Sequence, residues 1–257
     1  MKMKSLLAAV TALALFSPIA ASAGVIDDLY WGGNGHNYGD VIGDTATYGI
    51  SSAAVTRSGS VLTIRIATGF AGQAGDAAWA GPHGIGYGDV FLAPAWTPSG
   101  SDAQHSNDNA ASGTQWTYGF NLADRWSTTG GAFTLYAMTG SNVDNILNSE
   151  SFLTCAIGSA CFYRDGQATA VNTASATVLD TGLTGTWSMT AGSELVFSID
   201  AAGSALANYS TIAMHWGETC QNDVIEGATD VPEPASLALF ALGLLGVAGA
   251  RKRKQQT

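Results

Sequence analysis

Five stretches of this chain alternate apolar and polar residues with a period of two, and that period points to half-buried β-strands. In residues 60–66, Leu62, Ile64 and Ile66 fall on one face. Residues 115–122 do the same for Trp116, Tyr118, Phe120 and Leu122, and residues 132–136, 194–199 and 211–216 repeat the pattern. Turn sequences such as Arg57-Ser58-Gly59 and Arg164-Asp165-Gly166 separate the strands. One short helix is predicted near Ser141 to Leu147, with Ser141 as its cap and Asp144 three residues on. Many strands and one short helix define an all-β chain, an antiparallel β-sandwich with the jelly roll among its forms. Only 12% of the residues are charged and 32 are glycine, but seven Trp, eight Tyr and nine Phe supply a core, so the composition is not that of a disordered chain. The stretch 98–113, rich in Ser, Asn, Asp and Ala, is expected to be the least ordered.

The amino end has the three parts of a secretory signal. Lys2 and Lys4 are a positive start, Leu6 to Phe16 an apolar run, and Ala21-Ser22-Ala23 a small-residue cleavage site. Residues 1–23 are therefore expected to be removed by signal peptidase. The apolar run is shorter than the ~20 residues of a spanning helix, which disfavours the competing reading of an uncleaved anchor. Residues 24–226 form the ectodomain, and residues 227–234 are expected to be a stalk that carries a sorting sequence.

At the carboxyl end, Val231-Pro232-Glu233-Pro234 precedes sixteen uncharged residues, 235–250, and the run Arg251-Lys252-Arg253-Lys254 follows. As a helix the apolar stretch is ~24 Å long at ~1.5 Å per residue, against a ~30 Å hydrocarbon core, so it spans only with help from its flanks. Basic residues stay on the cytoplasmic side, which sets the topology of a transmembrane segment with a basic tail, 251–257, inside and the ectodomain outside. The two prolines keep Glu233 in an extended segment, accessible to a processing enzyme.

This tail resembles the PEP-CTERM sorting signal of Gram-negative bacteria in all three of its parts, in order. The resemblance implies recognition by exosortase, an integral membrane enzyme. It further implies an inner-membrane intermediate, removal of the tail, and passage to the cell surface or an exopolysaccharide matrix of the kind that accompanies biofilm. Arg57-Ser58-Gly59, Gly88-Asp89-Val90-Phe91-Leu92 and the run from His215 to Asp223 also resemble a recurring exosortase-dependent surface-protein domain, one with no assigned chemistry.

Charge agrees with an exported location. Between residues 24 and 230 only Arg57, Arg65, Arg125 and Arg164 are basic, against nineteen acidic residues, a net charge of −15. Such a surface repels nucleic acid. It attracts divalent cations. Calcium takes oxygen ligands, and Asp27-Asp28 at the start of the domain with Asn222-Asp223 near its end are the candidate ligands, on the expectation that the first and last strands run close together. The competing reading makes Asp223 a turn cap and Asp27-Asp28 a flexible end.

The sequence holds no G-x-S-x-G elbow, H-E-x-x-H, Walker loop or EF-hand. His36, His83, His105 and His215 are scattered, and His215 reads as an exposed or hydrogen-bonded strand residue. Tyr30, Trp31, Trp79, Trp96 and Trp126 lie in or beside loop-like sequence, where aromatic faces either stack on sugars or plug the ends of a sandwich. Cys155 and Cys161 bracket a five-residue loop and are the predicted disulfide, ~2 kcal/mol of stabilisation, with Cys220 left buried or as an alternative partner. The expectation is a non-enzymatic surface or matrix protein, structural or adhesive, associated with extracellular polysaccharide. The alternative is a secreted glycoside hydrolase using a pair of the many carboxylates.

Overall fold

The structure is a computed structural model and describes residues 23–75, 77, 80–154 and 161–231. The signal segment 1–22, the stretch 232–257, Cys155 and Trp79 lie outside the described residues. Among the described residues no helix is long and apolar enough to cross a membrane.

The strands are β1 (Gly24–Asp27), β2 (Ile50–Ser58), β3 (Val61–Thr68), β4 (Val90–Ala93), β5 (Tyr118–Leu122), β6 (Gly130–Met138), β7 (Ile146–Leu147), β8 (Ala170–Val171), β9 (Val178–Thr190), β10 (Glu194–Asp200), β11 (Thr211–Gly217) and β12 (Val224–Asp230). Ten of them form one antiparallel sheet in the order β1-β2-β3-β10-β9-β6-β5-β4-β11-β12, and β7 pairs with β8. The fold is all-β and antiparallel as expected. The sheet is continuous and curls nearly into a barrel, so its first and last strands end up side by side. Among the described residues two α-helical turns interrupt it, α1 (Thr45–Tyr48) and α2 (Asn142–Asn145). Helix α2 begins where the sequence predicts, with Ser141 Oγ accepting the Val143 N–H at 3.1 Å.

Alternation decides the core. Leu62, Ile64 and Ile66 of β3, Leu195, Phe197 and Ile199 of β10, and Phe133 and Leu135 of β6 all face inward and are buried. Register stacks them into layers: Val55 lies opposite Ile64, Ile64 opposite Phe197, and Phe197 opposite Trp187. The rings of Phe120 and Phe133 stack at 4.4 Å. β4 and β11 break the alternation because both of their faces are covered. A second apolar cluster, including Phe91, Trp116, Met138, Ile146 and Val171, packs on the face away from the main core.

Gly24 and Gly227 carry the closure. A Cβ on Gly24 would lie 2.6 Å from the Asp230 carbonyl oxygen, and one on Gly227 would lie 2.7 Å from Ile26 Cγ2. β1 and β12 therefore run antiparallel in close contact, which sets the residue after β1 against the residue before β12. β12 continues to Asp230, and the Val231 N–H donates to Ser210 O at 2.7 Å with Val231 only 2% exposed. Residues 227–230, expected to be the first part of the 227–234 stalk, are the second half of β12: Gly227 lies close against Ile26 of β1 and Ala228 packs on the second apolar cluster. The stretch 98–113 is also tied down, with buried Asp108 accepting from Tyr30 Oη, Ser99 N and Ser99 Oγ.

Candidate functional site

The turn that joins β11 to β12, residues 218–223, is buried throughout, although it is polar: Glu218, Thr219, Gln221 and Asp223 are 0% exposed and Asn222 is 4% exposed. Connecting turns ordinarily lie at the surface because their backbone groups need partners. Here two loops supply them. The loop after β1 covers the turn through Ile42 N–H to Asn222 O at 2.7 Å, and the segment 161–169 covers it through Arg164 N–H to Cys220 O at 3.2 Å. Thr219 is fixed to Gly86 by two bonds, N–H to Gly86 O at 2.8 Å and Gly86 N–H to Oγ1 at 2.9 Å. Gln221 is held in a left-handed conformation, φ 52°, and its Nε2 reaches Ala168 O at 3.3 Å.

Three carboxylates meet against this turn. Asp28 follows β1, Asp40 lies in the loop after it, and Asp223 precedes β12; one oxygen from each lies within 4.8 Å of the others. Asp223 is braced from behind, Oδ2 accepting the Ile50 N–H at 2.6 Å and Oδ1 the Val224 N–H at 2.8 Å. Asp28 Oδ1 and Asp40 Oδ1 are buried without a hydrogen-bond partner, as are Asn222 Oδ1 and Glu218 Oε1 in the turn that carries Asp223.

Burial, then the charges of Asp223 and Asp40, pushes Asp28 up to about 8, with Arg164 opposing. Burial also raises Asp223, against the Ile50 amide, which favours its ionised form. Glu218, fully enclosed, is raised well above the carboxylate range by burial and then by Asp223. Asp40 is raised by burial, with Arg164 opposing.

Arg164 is the cation nearest this centre, but its two Nη atoms are occupied by backbone carbonyls, and its buried Nε has no partner. Nη1 donates to Trp31 O and Gly32 O at 3.3 and 3.4 Å, and Nη2 to Gly39 O at 2.8 Å and to Asp40 O. It pins the loop that carries Asp40 and forms no ion pair with any of the carboxylates among the described residues.

Beside the centre opens a cleft of about 330 Å³, lined by Tyr38, Val41, Ile42, Tyr48, Phe162 and Asn222. Tyr38 stacks on His36 at 5.5 Å and meets the Phe162 ring edge-on at 5.8 Å, and Phe162 is 50% exposed. A second cleft of about 350 Å³ follows the seam between β1 and β12 and includes Trp96, His105 and Asp27.

Of the metal ligands expected from sequence, Asp28 and Asp223 are brought together and Asn222 lies next to Asp223. Asp27 is exposed on the other side of β1 and is not part of the centre, because adjacent strand residues face opposite ways. Asp40 was missed: nothing local marks it in a loop with no periodic pattern. Of the aromatics, Trp96 and the largely buried Tyr30 line the second cleft, whereas Trp126 is held over His83 at 4.9 Å. His215 is buried and bonded to Glu226 Oε2 at 2.9 Å. Cys161 is disulfide-bonded and Cys220 is free and buried, while Cys155 lies outside the described residues.

The PEP-CTERM protein-sorting motif family matches residues 230–254. The match begins on the last residue of β12, so the sorting sequence starts where the sheet ends. Neither a curated protein nor a solved structure matches the chain. A motif of this kind supports an exported protein that exosortase processes after a transient stay in the membrane. Its residues Pro232, Glu233 and Pro234, the apolar segment and Arg251 to Lys254 are outside the described residues.

Proposed function

We propose that this exported chain is a surface or extracellular-matrix protein with an adhesive, non-enzymatic role, and that the cleft at Tyr38, Tyr48 and Phe162 takes a segment of extracellular polysaccharide. Signal peptidase removes residues 1–23, exosortase removes the tail from the inner-membrane intermediate, and the folded β-domain is delivered to the matrix associated with biofilm. The observation that carries this reading is the cleft itself. It has the size of a small-ligand site, its rings offer flat apolar faces to sugar rings, and Asn222 Nδ2 offers a donor to hydroxyls. The charge of −15 between residues 24 and 230 favours a neutral glycan, since a polyanion would be repelled.

The test is retention on immobilised polysaccharide purified from the producing cell's own matrix. The protein should be retained, and Tyr38→Ala and Phe162→Ala should each weaken retention about tenfold, the loss of ~1.4 kcal/mol of stacking. Both side chains lie at the surface of the cleft, so the fold should survive. Retention indifferent to both substitutions overturns the assignment of the cleft. Release of reducing ends from the polysaccharide would overturn the adhesive role in favour of a glycoside hydrolase.

A further inference from the structure

We propose that Asp28, Asp40 and Asp223 hold a divalent cation, calcium by the chemistry of their donors, and that this ion clasps the end of β1 and the loop after it to the start of β12. Every donor in the group is a carboxylate oxygen, the set that suits a hard cation and not zinc or copper. Two oxygens bound to one calcium at ~2.4 Å can lie no more than ~4.8 Å apart, and the three carboxylates satisfy that limit in every pair.

The cation beside the group, Arg164, forms no ion pair with it among the described residues. Two buried oxygens of the group have no hydrogen-bond partner, Asp28 Oδ1 and Asp40 Oδ1, and the enclosed turn that carries Asp223 leaves two more, Asn222 Oδ1 and Glu218 Oε1. All four are acceptors, so what they are missing is a donor or a cation. Asn222 is 96% removed from solvent, neighbours Asp223, and turns its side chain to the loop that carries Asp40, with Nδ2 3.9 Å from the position a Gly43 Cβ would take. Glu218 is 0% exposed, and its other oxygen accepts from Asp223 N–H at 3.4 Å. Arg164 does not fill the need: its Nη atoms are committed to backbone carbonyls, and its buried Nε, itself without a partner, reaches none of the four oxygens. Asp223 remains a ligand although each of its oxygens accepts an amide, since a carboxylate oxygen has a second lone pair. A surplus of acceptors that close, out of water, is costly unless a cation enters or protons bind.

The ion would add to the hydrogen bonds from Arg164 and Ile42 that hold the 28–44 loop. That loop contains no strand and leads into four-residue α1, yet Asp40 meets two carboxylates that flank the first and last strands of the sheet. The ion would join segments nearly two hundred residues apart in sequence, at the seam where the sheet closes on itself. The proposal does not depend on polysaccharide binding, and its readout is the metal alone.

The experiment uses the full chain, purified in mild detergent and stripped with chelator. Calcium titration by calorimetry should find one site per chain. At a hundredfold excess over the dissociation constant the unfolding temperature should rise by about 5–10 °C. Asp40→Asn, in a half-buried loop position, should weaken binding at least tenfold, and so should Asp28→Asn. Asp27→Asn, one residue away on the exposed face, should bind as the parent does. Asp223→Ala is the poorer probe, because it also strips the Ile50 and Val224 amides of their acceptor and threatens the fold. Absence of calorimetric binding, a melting temperature equal in calcium and chelator, or full calcium affinity in Asp40→Asn would each overturn the site. Protons alone would then occupy the carboxylates.

Discussion

Asp89→Ala is the substitution whose cost is best constrained by the structure. Asp89 is 0% exposed and accepts four hydrogen bonds: Leu122 N–H at 3.0 Å and Arg125 Nη2 at 3.2 Å on Oδ1, and Asn121 Nδ2 at 3.0 Å and Val171 N–H at 2.8 Å on Oδ2. It thereby ties β5, β8 and the segment after β5 to the start of β4. Its partner Arg125 has a side chain only 9% exposed, donates to Tyr87 O at 2.9 Å and lies over the Phe152 ring at 4.9 Å. Alanine leaves that guanidinium buried without a counter-charge, which costs about 3–5 kcal/mol. Two backbone N–H groups are orphaned as well, each worth about 1–3 kcal/mol when buried and unpaired. These terms overlap, so the total should sit near the upper end of the ion-pair range. That is a large part of the ~5–15 kcal/mol that holds a domain together, and at ~2–4 °C per kcal/mol it lowers the unfolding temperature by about 10–20 °C.

Guanidinium denaturation followed by tryptophan fluorescence measures it directly. The exposed pair Arg65–Glu194, 3.1 Å apart with side chains 52% and 33% exposed, is the internal comparison, and Glu194→Ala should cost under about 1 kcal/mol. Adding Arg125→Met to Asp89→Ala should recover part of the loss, because it removes the unpaired charge. If Asp89→Ala costs no more than Glu194→Ala, or if the double variant is no more stable than Asp89→Ala, the account of a buried charge hub is wrong.

Three further outcomes follow from the geometry. Gly227→Val should part β1 from β12, since its Cβ would sit 2.7 Å from Ile26 Cγ2; it should destabilise by more than about 2 kcal/mol and weaken calcium binding, and parental melting and affinity would refute the close approach. In chelator, stability should fall as pH rises from about 4 to about 8. Folded Asp28 holds its proton up to about 8 against an ordinary value of 3.8, so the native state binds more protons than the unfolded state across that window; melting temperatures that climb through it would contradict this sign. Mass spectrometry of surface material should find a chain that starts after Ala23, retains Val231 and lacks Arg251 to Lys254, because Val231 is packed into the sheet; recovery of the intact basic end on most molecules would remove the processing step.

Local chemistry made several features legible in the sequence. The period of two marked the strands carrying Ile64, Phe120, Phe197 and Met214, because a strand's side chains alternate whatever its neighbours are. Ser141 marked the start of α2, since a cap acts within its own turn. The sorting address in residues 231–254 is linear and read as such. Other features needed the closed sheet. That Asp28 and not Asp27 turns inward, that Asp40 joins it, and that residues 227–230 complete a strand all depend on β1 lying against β12. That neighbour relation joins segments about two hundred residues apart and arises from the accumulated curl of ten strands, which no local pattern encodes. The same closure makes the 218–223 turn, polar in every residue but Cys220, an enclosed one, and so turns ordinary surface chemistry into a cluster of buried carboxylates.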